Sequence, residues 1–206
     1  MIGNKVGRRL EPWIYTGLSK VFGKEGNPNS FTIMGFFATL IASVFIIKDL
    51  WVAAGLMIIL SGLLDLFDGV LARKLERVTL FGGFLDSVLD RYSDLFLLLG
   101  LIIYYLRNSS PGLVVLTSVV SIGTILISYV RAKAESLQIP CSVGLMERAE
   151  RIILLSAGTL FHWMEPILWV LAILTHFTVI HRIYYVWEKM RSPSENENPQ
   201  MNSKSQ

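Results

Sequence analysis

Apolar residues along this chain fall in long blocks separated by short polar joints, without the strict alternation of a half-buried strand. Six such blocks stand at about 31–47, 51–67, 84–106, 112–130, 149–164 and 166–187. Most have the roughly 17–25 residues with which an α-helix crosses a hydrocarbon core of about 30 Å. The fifth is short. The fold predicted is all-α, a polytopic membrane protein with six transmembrane helices. Ahead of them, Val6, Leu10, Trp13, Ile14, Leu18, Val21 and Phe22 recur at helical spacing, with Lys5, Arg9, Glu11 and Lys20 between them. That pattern predicts an N-terminal amphipathic helix, lying in the membrane interface or packed on the protein itself. No unbroken apolar run follows Lys5, Arg8 and Arg9, so the stretch does not read as a signal peptide. After Met190 the chain turns polar and aperiodic, as a disordered tail does. Three regions result: an interfacial helix at 1–26, a membrane domain at 27–190 and a cytoplasmic tail at 191–206. No internal repeat is visible.

Composition agrees. Hydrophobic residues make up 52% of the 206 and charged ones only 17%, with a mean hydropathy of +0.52, an unusual balance for a soluble domain. A net charge of +3 gives no ground for a nucleic-acid partner. A single cysteine, Cys141, excludes an internal disulfide. The distribution of Lys and Arg says more than their total. With a cytoplasmic N-terminus, Lys48 and Arg107 alone fall in outside loops, while Arg73, Lys74, Arg77, Arg131, Lys133, Arg148 and Arg151 join the basic ends inside. The positive-inside rule then sets the orientation in the cell membrane.

Five acids interrupt this apolar background: Asp65 and Asp68 at the end of the second segment, Asp86, Asp90 and Asp94 at the start of the third. A carboxylate at the centre of a lipid-facing helix costs about 2.5–3.5 kcal/mol. Asp65 and Asp68 share one helical face, and so do Asp86, Asp90 and Asp94. The break at Gly82-Gly83 lets the two helices pack antiparallel, so four carboxylates converge near the cytoplasmic surface. At about 4 Å and an effective dielectric of 20, each pair repels by roughly 4 kcal/mol. Hard oxygen ligands in such a cluster suit Mg²⁺ or Mn²⁺, and four can bridge a two-metal site. The small Gly69 and Ala72 leave room for a ligand, and Arg73 and Arg77 are placed to meet its phosphates. The bland alternative is that the acids pair with arginines and only hold a bundle together; Asp94, one turn deeper, suits a bond to a neighbouring hydroxyl. His162, His176 and His181 stand singly, as packing residues.

Asp65, two residues, Asp68-Gly69, two residues, Ala72-Arg73, eight residues, Gly82, three residues, Asp86, three residues and Asp90 resemble the complete signature of the CDP-alcohol phosphotransferases. The resemblance implies an enzyme of phospholipid synthesis in which Asp65, Asp68, Asp86 and Asp90 bind metal and Asp90 is also the catalytic base. It carries CDP-lipid contacts onto Gly69, Ala72, Arg73 and Thr79 and onto Pro28, Asn29, Ser30 and Phe31. The donor implied is CDP-diacylglycerol or an archaeal ether-lipid counterpart. A homodimer among membrane lipids is implied as well.

The acceptor is read from the joint between segments four and five, where Ser128, Arg131 and Lys133 precede a loop that Arg148 and Arg151 follow. Any positive-inside loop contains basic residues. This arrangement also resembles the family branch making phosphatidylinositol phosphate or archaetidylinositol phosphate, which implies a phosphate pocket at Ser128, Arg131, Lys133, Arg148 and Arg151 for inositol 1-phosphate. Some members have Lys and Arg exchanged at positions 131 and 133. Glycerol 3-phosphate is the alternative acceptor. A divalent-cation transporter using the aspartates is the alternative of another class, but repeated halves are missing. A polyprenyl transferase would show clustered DDxxD-type runs, and a scaffold would leave the acids unexplained.

Overall fold

A computed structural model describes residues 28–74 and 79–191. The interfacial helix expected at 1–26, Arg77 and the tail beyond Arg191 lie outside the described residues. Six α-helices form this part of the chain: α1 (Pro28–Ile47), α2 (Trp51–Lys74), α3 (Leu80–Arg107), α4 (Pro111–Ser136), α5 (Arg148–Leu160) and α6 (Met164–Arg191). Each corresponds to one apolar block. Proline opens α1 and α4 and lies within the first turn of α6, where its missing N–H costs nothing and its fixed φ suits a helix.

Among the described residues, four stretches are long and apolar enough to cross a membrane: Asn29–Ile47, Trp51–Leu71, Pro111–Ser136 and Met164–Arg191. The other two helices differ for visible reasons. α3 has 28 residues, but Asp86, Asp90, Arg91 and Asp94 lie between its start and its middle turn. α5 has 13 residues, about 20 Å of helix at 1.5 Å each, and ends four residues before the expected 164. The turn responsible has His162 at a positive φ of 57°. Outward faces are apolar, as in an integral membrane protein: Phe37, Leu56, Val115, Trp169, Ile173 and Ile180 are all exposed.

α1 packs on α2 and α3, α2 on α5, α3 on α4, and α4 and α5 on α6. The core they enclose includes Ile58, Leu97, Leu101, Val120, Leu168 and Leu171. Several polar groups inside it are bonded: Thr39 Oγ1 lies 2.7 Å from Ser61 Oγ, and Ser43 donates to Phe96 O at 2.8 Å. Short connections make consecutive helices antiparallel. The starts of α1, α3 and α5 therefore share one end of the bundle with the finishes of α2, α4 and α6. All the candidate chemistry is at that end.

Candidate active site

Two helix ends deliver the acids. Thr79, in extended backbone, caps α3 by accepting from Gly82 N at 2.9 Å, which satisfies one of the free N–H groups of the first turn. A Cβ at Gly82 would lie 2.8 Å from Thr79 Oγ1 and 3.0 Å from Asn29 Oδ1. Glycine there lets the start of α3 close against the start of α1. With that approach fixed, Asp86 on α3 comes beside Asp65 and Asp68 on α2.

Asp65, Asp68 and Asp86 each present one carboxylate oxygen within 4.8 Å of the other two. Asp68 is 8% exposed, and Thr32 Oγ1 donates to its Oδ2 at 2.6 Å. Asp86 Oδ1 is buried and has no hydrogen-bond partner among the described residues. A buried carboxylate oxygen without a donor is costly. Three hard oxygens facing one point, one of them orphaned, fit a small divalent cation.

Asp90, the fourth acid of the motif, is not part of that triad. Its Oδ1 lies 2.8 Å from Arg148 Nη1, which also stands 2.5 Å from Asp65 Oδ1. One guanidinium from the first residue of α5 thus spans acids on α2 and α3. A guanidinium keeps its proton in proteins, so Arg148 is a cation between two carboxylates. Asp94 does not bond a hydroxyl. It makes a buried ion pair with Arg151, Nη2 to Oδ2 at 2.5 Å. Pairing of acids with arginines therefore does occur, through cations from α5 and not through the described sequence neighbour Arg91. Arg91 instead donates to Ser87 O in its own helix.

Beside the acids opens a cavity of about 310 Å³, walled by Asp86, Asp90, Ser128, Arg131, Arg148 and Arg151 among others. Four of the five residues expected to hold an acceptor phosphate thus meet there. They are not equally free. Arg151 is 4% exposed and is held by Asp94 and by Met146 O. Arg131 is exposed and paired with Glu135 at 2.8 Å. Lys133 is exposed on α4 and outside the cavity wall. On the nucleotide side, Asn29 stands at Gly82, Gly69 is half-buried and Ser30 exposed, while Phe31 is buried against Ala38, Leu64 and Leu71 as core. The side chains of Pro28, Ala72 and Arg73 lie outside the described residues.

Arg182 was not singled out from the sequence, yet it lines the same cavity and is 1% exposed. Its Nη1 donates to Ile127 O at 2.7 Å and its Nε to Val143 O at 2.8 Å. It ties α6 to α4 and to the loop before α5. Thr178 Oγ1 accepts from Met146 N at 3.3 Å, and Gly144 allows the approach: φ is +131° and a Cβ would lie 2.6 Å from Thr178 Cγ2. This loop ends at Arg148. Its anchorage sets where that guanidinium stands. The signal in the sequence was an arginine inside an otherwise apolar helix, which marks function or a buried partner.

Comparison with known proteins agrees with this geometry. The CDP-alcohol phosphatidyltransferase profile matches residues 26–181. The chain is 40% identical over 166 residues to the archaetidylinositol phosphate synthase of Methanothermobacter thermautotrophicus, covering 78% of this chain and 83% of that one. It superimposes on the phosphatidylinositol phosphate synthase of Mycobacterium tuberculosis with CDP-DAG bound at a TM-score of 0.77, with 26% identity, covering 92% and 98% of the two chains. For the same enzyme in complex with manganese and citrate the TM-score is 0.74, at 26% identity and 91% coverage of each chain. The chain belongs to the CDP-alcohol phosphatidyltransferase family, enzymes of phospholipid biosynthesis.

Proposed function

We propose that the protein moves a phosphatidyl group, or its ether-lipid equivalent, from a CDP-lipid to a phosphorylated polyol, inositol 1-phosphate, and releases CMP. The observation that carries this reading is the junction of a carboxylate triad with a cation-walled cavity of about 310 Å³. The names of the relatives in both comparisons support the same acceptor. An unphosphorylated alcohol would bring no charge to meet the cations of that wall.

Asp65, Asp68, Asp86 and Asp90 would hold Mg²⁺ or Mn²⁺, as a two-metal site. When bound there, the metal supplies neutralising charge for the pyrophosphate and the departing CMP and acidifies the acceptor hydroxyl. The donor's tails lie in the bilayer and its nucleotide reaches Asn29, Gly69, Arg73 and Thr79. Arg131 and Arg148, with Ser128, orient the acceptor's phosphate in the cavity, while Arg151 and Arg182 hold its wall. Asp90 stands between the two subsites and takes the hydroxyl proton. The acceptor oxygen then forms its bond to the β-phosphorus as the bond to the CMP oxygen breaks. Positioning and fixed charge do most of the work, as is usual at phosphorus.

All six helices are embedded in the cell membrane, α3 and α5 shielded by their neighbours. The acidic end faces the cytoplasm, in keeping with the Lys and Arg bias, and the enzyme works as a homodimer. The test of function is an acceptor panel with the purified protein and CDP-diacylglycerol: inositol 1-phosphate, glycerol 3-phosphate, serine and free inositol. Inositol 1-phosphate should be preferred. If serine or free inositol were the better acceptor, the reading of the cavity would be wrong; if glycerol 3-phosphate were, the alternative acceptor would hold.

A further inference from the structure

Among the described residues, Arg148 is the one cation that lines both cavities beside the acids. It lines the larger cavity with Ser128 and Arg131, and also a small void with Thr32, Ser61, Asp65, Asp90 and Ser93 among others on the other side. Its Nη1 is within 2.8 Å of oxygens on Asp65 and Asp90, while its Nε is buried with no hydrogen-bond partner among the described residues. Arg151, one turn along the same helix, is locked to Asp94 and Met146 O. Arg182 and Thr178 pin the loop behind both. The backbone under Arg148 is thus fixed, and its long side chain alone is placed to exchange partners.

We infer that Arg148 couples the metal subsite to the acceptor subsite by exchanging the carboxylates of Asp65 and Asp90 for the acceptor's phosphate. The inference rests on the proposed function above. A guanidinium and a divalent cation on the same carboxylates repel each other and compete for the same oxygens. Loading metal displaces the guanidinium toward the cavity, where an anionic phosphate receives it with charge-assisted hydrogen bonds. Conversely, a phosphate that draws Arg148 away frees Asp65 and Asp90 for metal. Linkage makes the two effects equal, so metal and phosphate each tighten the binding of the other. Acceptor capture thereby waits on metal loading.

Calorimetric titration of the full-length protein in detergent with Mn²⁺, alone and with saturating inorganic phosphate, tests this without turnover. A second arm uses inositol 1-phosphate. In the wild type either anion should tighten Mn²⁺ binding about tenfold, a coupling of ordinary size. Arg148→Ala should bind Mn²⁺ more tightly than the wild type without phosphate and should show almost no response to either anion. Arg148→Lys keeps the charge without the fork and should retain only part of the coupling. Should Arg148→Ala fail to fold, as thermal unfolding would reveal, Arg148→Lys decides. Coupling of wild-type size in whichever variant folds, or wild-type Mn²⁺ binding indifferent to both anions, would overturn the inference and leave the proposed function standing. Absence of Mn²⁺ binding in the wild type would overturn both.

Discussion

The two ends of the bundle solve the same problem, how to finish antiparallel helices, in opposite ways. At the end away from the acids the joints are short, and their polar groups bond within the joint or to a carbonyl of the neighbouring joint. Trp51 Nε1 donates to Asp49 Oδ1 at 2.6 Å, Asn108 Nδ2 to Tyr104 O at 2.9 Å and Arg107 Nη1 to Ile47 O at 3.0 Å. Trp51 packs edge-on to Tyr104 at 4.8 Å, with His162 at 6.2 Å. At the acidic end the partners come from far along the chain, Arg151 to Asp94 and Arg148 to Asp65. There, too, buried polar atoms of Asp86, Arg148 and Arg151 lack hydrogen-bond partners among the described residues, and none of the helix ends opposite contributes such an atom. One end bonds its own polar groups; the other leaves buried polar atoms without hydrogen-bond partners beside a cavity.

That contrast breaks most sharply at the carboxylates. Asp68→Asn or Asp86→Asn should abolish turnover, a loss of about 10³-fold or more if a metal supplying several kcal/mol is lost. The variants should still insert in the membrane, which protease protection in vesicles would check. Asp90→Asn belongs to the same class, and retention of a tenth of the rate would assign the proton to another group.

Next in size is the buried pair. Arg151→Ala leaves Asp94 charged and unpaired, and should cost about 3–5 kcal/mol of stability, read as a lowered midpoint in a detergent melt. Replacing both partners, Asp94→Leu with Arg151→Met, should recover most of that loss. If the single and double variants melt alike, the pair is not what holds α5 against α3. Arg131→Ala should leave the midpoint nearly unchanged, because an exposed ion pair contributes about 0–1 kcal/mol. The same change should raise the KM for inositol 1-phosphate by roughly tenfold, the worth of a charge-assisted bond, and spare the KM for CDP-lipid. Smallest in its effect on catalysis is Trp51→Ala at the end away from the acids. It should cost about 1–3 kcal/mol in lost aromatic packing with kcat unchanged; a changed kcat would mean that the two ends are coupled.

The sequence carried the carboxylates because helical spacing is local: Asp65 with Asp68, and Asp86 with Asp90, could be placed on common faces without knowing the fold. The six helices were legible for the same reason, one apolar block to each. The pairing of Asp94 with Arg151 was not, since 57 positions separate the two and only packing of α3 near α5 reveals which cation is near. The same distance hid Arg148 from Asp65 and Asp90. Its charge made it look like a phosphate ligand alone, when it is also a counter-ion to the acids. The early finish of α5 depends on a left-handed turn at His162, which neither hydropathy nor Gly or Pro announces. Arg182 was visible as a charge in an apolar helix, but its bonds to Ile127 and Val143 are tertiary. Phe31, carried over from a family motif, was not legible as core, and its side chain packs against Ala38, Leu64 and Leu71.

The most direct measurement follows CMP release from CDP-diacylglycerol with inositol 1-phosphate while Mn²⁺ is added back to chelated protein. Release should be absent in excess EDTA, return with Mn²⁺ or Mg²⁺ and require the phosphorylated acceptor. Full-rate release in excess EDTA would contradict a metal-dependent transfer at Asp65, Asp68, Asp86 and Asp90.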